Sequence, residues 1–143
     1  MVLRLLPNQI VKVWEAIKFV MTKVDEVEEK NLQIYFNEIL HSLLNEKAQC
    51  WVRLDKDRIL EGMALTRILI DKVTSDKCLL IQCLYSFKSV DDDEWKRSAV
   101  LFKQYANKEK CAFIDCYSRN EKIWELATML GFEEINRQFR LKI

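Results

Sequence analysis

The pattern of apolar residues predicts a mixed α/β (α+β) fold, a mostly antiparallel central sheet of about six strands carrying four helices. Three observations support it. Between positions 7 and 45 apolar residues recur at helical spacing; between 50 and 87 the period falls to two and β-branched and aromatic residues take over; beyond 87 helical and strand-like segments alternate. With 143 residues, two glycines and one proline, the chain fits one domain spanning 1–143, without linker, repeat or low-complexity tract.

"VLRLL" at 2–6 is a short first strand. Pro7 and Asn8 open a helix in which Ile10, Val13, Trp14, Ile17, Val20, Met21 and Val24 share one face, with Lys12, Glu15, Lys18 and Lys23 opposite. After a charged connector, "DEVEEKN", the residues Leu32, Tyr35, Phe36, Ile39, Leu40 and Leu43 mark a second amphipathic helix that ends near Asn45. "CWVRLD", "ILEGMALTRILID" and "CLLIQCLYSF", joined by the turn signals "KDR" and "TSDK", then make an antiparallel meander. Gly62 suggests a bulge or a close backbone approach, and the third strand of the meander reads as buried on both faces.

A helix from 92 to 106 turns Trp95, Ala99, Phe102 and Ala106 inward, and "CAFIDCYS" is a fifth strand. The helix between them makes strands four and five parallel neighbours through a right-handed crossover. "NEKIWELATMLGF" is a last helix, opened by Ser118 or Asn120 and closed by Gly131. In the final "EEINRQFRLKI", Ile135, Phe139, Leu141 and Ile143 fall mostly on one side of a sixth strand, either a protected edge or one that pairs with another chain. The tryptophans Trp14, Trp51, Trp95 and Trp124 all read as core residues.

Composition excludes several function classes. The net charge is +1, with basic residues scattered among acids, which argues against a nucleic-acid footprint. No apolar run is long enough for a membrane span, and "MVLRLLPNQI" is too short for a signal peptide, so a cytoplasmic protein is expected. Cys50, Cys78, Cys83, Cys111 and Cys116 lie in strand-like runs without a C-x-x-C pair and read as reduced thiols. His41 stands alone, so no metal site is expected.

"FKSVDDDEWKRSAV" packs Asp91, Asp92, Asp93 and Glu94 against a helix start. Asp91 suits the N-cap, with Glu94 completing a capping box, and the charges oppose the positive end of the helix dipole. The same charges would repel an anionic ligand from that helix terminus. At about 5–6 Å and an effective dielectric of about 20, each like-charge pair costs about 3 kcal/mol before salt screening.

The element order, together with "NEKIWELATMLGFEE", resembles the GNAT superfamily of N-acetyltransferases across nearly the whole chain. Asn120, Trp124, Leu126, Leu130, Gly131 and Phe132 are similar to that family's fourth-helix motif. The resemblance implies that strands four and five splay and that acetyl-CoA lies between them. Its pantetheine arm would pair with backbone at 84–87, giving Leu84, Ser86, Phe87, Lys88 and Asn120 as the cofactor-binding candidates. It also implies a diphosphate loop patterned [RQ]-x-x-G-x-[GA] before the next helix, whose glycines let backbone N–H groups reach the phosphates. No glycine occurs between Phe87 and Val100.

Family members often carry an acid-donating Tyr seven residues after the Asn of the fourth helix; the matching residue here is Ala127. Strand four offers no acidic general base either, only Gln82, Tyr85 and Ser86 as polar residues. The remaining catalytic candidates are Tyr85, as a donor to a thiolate or a rim aromatic, and Asp115, as a base in the splay or a hydrogen-bond partner of neighbouring loops. The expected function is therefore a GNAT-fold binding or structural module with an eroded acetyl-CoA site. Its partner would be another protein or a small amine. Glycine-poor chains of this kind also look like bacteriophage-encoded relatives, which implies a possible place in a virion. The alternatives are an acetyl-CoA-dependent N-acetyltransferase with a non-standard phosphate seat, or an acyltransferase served by an acyl-carrier protein.

Overall fold

A computed structural model describes all residues, Met1–Ile143. The elements are β1 (Val2–Arg4), α1 (Pro7–Val24), α2 (Leu32–Leu44), β2 (Ala48–Leu54), β3 (Leu60–Ile70), β4 (Lys77–Ser86), α3 (Asp92–Lys108), β5 (Phe113–Cys116) and α4 (Glu121–Met129). The strands lie in the order β1-β2-β3-β4-β5, antiparallel except for the parallel β4–β5 pair that α3 connects. No helix is long and apolar enough to cross a membrane.

The sheet separates two cores. Ile10, Ile17, Val20 and Met21 of α1 and Ile39 and Leu43 of α2 pack on Cys50, Val52, Met63, Leu65 and Cys83. On the other face Phe102 and Ala106 of α3 cover Trp51, Ala64 and Leu79. These are the apolar stripes of amphipathic helices, each buried against alternate residues of the strands.

Two bulges shape the sheet. Arg53 faces Gly62 while Leu54 faces Leu60, so Glu61 is the extra residue. Gly62 is needed there: a Cβ would sit 3.2 Å from the Tyr85 carbonyl oxygen. In β4, Leu65 faces Cys83 and Thr66 faces Ile81, so Gln82 is the extra residue. Ahead of it Leu79 and Ile81 pack toward α3; after it Cys83 and Tyr85 pack toward α1 and α2. One bulge thus exchanges the two faces of β4.

The turns are held by side chains in place of glycine. Asp55 Oδ1 accepts the N–H groups of Asp57 and Ile59, and Asp71 Oδ1 those of Val73 and Thr74. Glu46, Arg58, Ser75 and Lys110 adopt positive φ, between 59° and 64°.

The expected six strands are five. Residues 133–143 form no strand and are exposed throughout, and the last backbone hydrogen bond is Phe132 N–H to Ala127 O at 2.9 Å. Alternation specifies a two-sided segment but not an edge that receives it, and β5 remains the last strand of the sheet. Helix α4 consequently lacks a cover: it has no buried residue, and Trp124 is 52% exposed where a core position was expected. Trp51 is buried, and Trp14 and Trp95 are half-buried.

One polar chain crosses the α3-side core. Trp51 Nε1 donates to Thr66 Oγ1 at 3.0 Å, and Thr66 donates to Gln49 Oε1 at 2.8 Å. All three residues are buried, and leaving one such group unpaired costs about 1–3 kcal/mol. Thr66→Val keeps the shape but strands both the indole N–H and the amide oxygen. Urea unfolding should show a loss of about 2–4 kcal/mol; a loss below about 1 kcal/mol would mean that the chain of hydrogen bonds contributes little.

Candidate functional site

The Gln82 bulge falls where β4 loses its parallel neighbour. Ile81 is the last residue paired with β5, opposite Cys116, and β4 runs on through residues 82–86 with that edge unpaired. Beyond Cys116 the chain departs through Tyr117, Ser118 and Arg119 to Asn120, the α4 N-cap, whose side chain accepts from Lys122 N–H at 2.9 Å. The two strands therefore splay, as expected.

The cofactor-binding candidates line one end of this splay. Leu84 packs toward the α3 core. Ser86 Oγ donates to the Lys88 carbonyl and, at 3.3 Å, to the Glu61 carbonyl. Phe87 N–H is committed to Glu61 O at 2.8 Å, and its ring stacks on Phe19 with centroids 6.2 Å apart. Lys88 Nζ turns toward Glu61 and Asp55, 3.5 and 3.8 Å away. Asn120 stands across the splay on α4.

The two catalytic candidates do not meet. Tyr85 lies on the α1 side, edge-on to Phe87 at 5.1 Å and Phe19 at 6.1 Å. Asp115 sits within the paired part of β5, opposite Leu80, so five residues of β4 separate its level from that of Tyr85. At about 3.3 Å per residue this is about 16 Å. Burial, with some help from Asp71, raises the Asp115 carboxyl above the usual range.

The acidic helix start is a structural clamp. Asp91 Oδ1 accepts from Glu94 N–H at 2.8 Å, which is the cap, but the Glu94 carboxylate does not return to complete a box. It bonds Arg53 Nη1 at 2.9 Å instead. Arg53 Nε is buried 3.4 Å from Glu61 Oε2 without an aligned hydrogen bond. Arg53 thereby joins β2, the β3 bulge and the first turn of α3, and Glu61 passes the network on to Lys88. Beneath this turn, Val90, Trp95, Ser98 and Phe102 border a cavity of about 40 Å³. Small-molecule sites occupy about 300–1,000 Å³.

A second group, on the α1–α2 side of the splay, was not singled out from sequence. The Tyr35 hydroxyl donates to Asp25 at the end of α1. Burial, then the Asp25 carboxylate, pushes the Tyr35 phenol well above its ordinary range, and burial likewise raises Tyr117 and Cys83. Arg119 pairs with Glu26, tying the α1–α2 connector to the loop after β5. Close by, Arg67 bonds Gln82 Oε1 at 2.8 Å and Glu38 Oε2 at 2.6 Å. The cluster offers hydroxyl and thiol groups that stay protonated at neutral pH, beside the Asp25 and Glu38 carboxylates. The only hints in the sequence were polar residues interrupting apolar strands: Arg53, Arg67 and Gln82.

Burial also raises the Cys50 thiol to about 12, so it is no nucleophile at neutral pH. No group of three or more His, Cys, Asp or Glu side chains is placed to hold a metal ion.

No family model matches the sequence, and no curated protein matches it significantly. The fold does match solved structures. A ribosomal-protein-alanine N-acetyltransferase from Brucella melitensis superposes with a TM-score of 0.70 at 11% identity, over 100% of this chain and 99% of that one. An aminoglycoside N-acetyltransferase in complex with a CoA-containing bisubstrate analogue gives 0.72 at 14% identity, over 100% and 97%. A predicted acetyltransferase with acetyl-CoA, from Clostridium acetobutylicum, gives 0.70 at 9% identity, over 99% and 95%. The chain has the GNAT N-acetyltransferase fold.

Arg53→Met should cost about 2–3 kcal/mol in urea unfolding, because it leaves Glu61 and Glu94 without their shared cation. Glu94→Gln, at the exposed end of the same network, should cost less than about 1 kcal/mol. Equal losses would show that Arg53 is not the hub.

Hydrogen bonds from Arg67, and then Ser42, hold the Glu38 carboxyl below its ordinary value of 4.5. A depressed folded-state pKa stabilises above the unfolded value and is lost as pH falls through the folded one. Glu38→Gln should therefore destabilise by at most about 1 kcal/mol at neutral pH, Glu38 being half exposed, and the difference should vanish near pH 3. A difference that persists there would assign it to packing.

Proposed function

We propose that this GNAT-fold chain does not use acetyl-CoA at the diphosphate seat its fold provides, and that it serves as a binding or structural module. The observation carrying this reading is the occupation of the α3 N-terminus by its own side chains. Asp91 takes the Glu94 N–H, Glu94 and Glu61 engage Arg53, and Lys88, the nearest cation of the preceding loop, leans on Glu61 and Asp55. Asp92 and Asp93 remain in the first turn as further negative charge.

A diphosphate held there would need free N–H groups, close backbone approach and positive potential. The loop supplies none of the three in full, since every residue from Phe87 to Val100 carries a Cβ. Separation of Tyr85 from Asp115, and Ala127 in place of a tyrosine, further reduce the support for acyl transfer, because a general acid and a general base each contribute about 10²–10⁴ in rate.

One observation favours a second reading, an active acetyltransferase with a different phosphate seat. The β4 edge at residues 82–86 is unpaired, which leaves backbone groups free for an extended ligand of the pantetheine type. CoA complexes among the structural neighbours are compatible with that use.

Thermal unfolding separates the two. Millimolar acetyl-CoA at a site of ordinary affinity, about 100-fold above Kd, would stabilise by about 2.7 kcal/mol, a shift of several degrees. The expected shift is below about 1 °C. A shift of several degrees would overturn the first reading: unchanged by Asp92→Asn and Asp93→Asn it would support the second, and growing with them it would put the diphosphate at the α3 N-terminus after all.

A further inference from the structure

Across the α1–α2 side of the splay, the two halves of the molecule are joined by a single polar contact. Residues 117–143 follow the last β4–β5 pair, Ile81 with Cys116, and the ion pair Arg119–Glu26 is their only hydrogen bond or ion pair to the rest of the chain. Every other polar side-chain partner in that segment is local, as in Asn120 to Ser118, Lys122 to Asn120 and Arg137 to Glu134. Helix α4 adds no buried residue to hold it.

The connector on the other side is tied at both of its ends. Asp25 N–H bonds Met21 O at 2.9 Å, the Tyr35 hydroxyl donates to the Asp25 carboxylate, and Asn31 N–H bonds Glu28 O at 2.8 Å. Between these ties the connector carries Asp25, Glu26, Glu28 and Glu29 against one cation, Lys30, which is already paired with Glu28. Like charges at that density repel, so Arg119 is the counterion that lets the connector lie against the loop after β5. Cys83, 1% exposed, lies within Coulombic reach of Asp25 on one side and of Tyr117 on the other. The unpaired β4 edge runs on from it.

The Arg119 and Glu26 side chains are 71% and 81% exposed, and a pair of this kind is weak and salt-sensitive. A segment with so few ties opens at low free energy while the fold around it stays closed. We propose that Arg119–Glu26 is an electrostatic latch on the splay. When it breaks, the loop after β5 and the α1–α2 connector part, and Cys83 and the β4 edge become accessible while the β4–β5 pairs stay intact. Ionic strength, or a charged ligand that competes for either partner, thereby sets access to the hydroxyl and thiol groups on this side. The latch does not depend on whether acetyl-CoA binds.

Alkylation of the full-length chain by N-ethylmaleimide, followed residue by residue with mass spectrometry, reads the opening. Burial pushes the Cys83 thiol up, so it reacts from the open form alone. Arg119→Gln should speed Cys83 alkylation about 2–5-fold, the range that an exposed ion pair supports. Arg119→Glu should exceed that, and adding Glu26→Arg to it should bring the rate back to the wild-type value. Sodium chloride at about 1 M should bring the wild type to the Arg119→Gln rate. Cys78, 3% exposed at the paired end of β4, is the internal control and should not change. An unchanged Cys83 rate in Arg119→Gln, or a charge exchange that fails to restore it, overturns the proposal. So does a rise at Cys78 equal to that at Cys83, which is global unfolding and not a local opening.

Discussion

A single extra residue in β4 governs the geometry of this molecule. By inserting Gln82, the strand turns Cys83 and Tyr85 toward α1 and α2, after Leu79 and Ile81 have faced α3. The bulge also coincides with the end of pairing to β5. The change of face and the splay are therefore one event, since a bulge both interrupts the ladder and increases the local twist. The Gln82 side chain is not spare: it holds Arg67, which in turn holds Glu38 of α2. The splayed end of the sheet is tied to the helical layer by that chain of charge-assisted hydrogen bonds.

At the neighbouring corner Arg53 does for α3 what Arg67 does for α2. Both are arginines inside otherwise apolar strands, with side chains 13% and 19% exposed, and both reach carboxylates on the helix packed against their own face of the sheet. Such partly buried pairs contribute less to net stability than to register, because much of the attraction offsets desolvation. Here they fix which turn of each helix meets which strand. Capping accounts for Asp91 and the Arg53 bond for Glu94, while Asp92 and Asp93 oppose the positive end of the helix dipole.

Much of this architecture is legible in the sequence. Helices α1, α2 and α3 announce themselves through periodic apolar faces, and the β2–β3–β4 meander through turn residues and alternation, because those signals come from neighbours in the chain. The Asp91 cap is legible for the same reason. The β4 bulge is not, since a strand that is apolar on both faces shows no alternation to break. Nor is the Arg53–Glu94 bond, whose partners are 41 residues apart and meet only through the fold. The final segment shows the limit most clearly: alternation at Ile135, Phe139, Leu141 and Ile143 specifies a two-sided strand but says nothing about which edge receives it. The exposure of Trp124 has the same origin, because burial of α4 presupposes that cover.

The scarcity of glycine has a consequence for the molecule's tolerance to redesign. Glu46, Arg58, Ser75 and Lys110 each hold a left-handed backbone conformation that their Cβ atoms disfavour, by about 1–2 kcal/mol per residue. Glycine there would relieve the local strain while loosening the unfolded chain, and the first effect is the larger. Four connections of the polypeptide are thus left short of their optimum, none of them among the residues lining the splay.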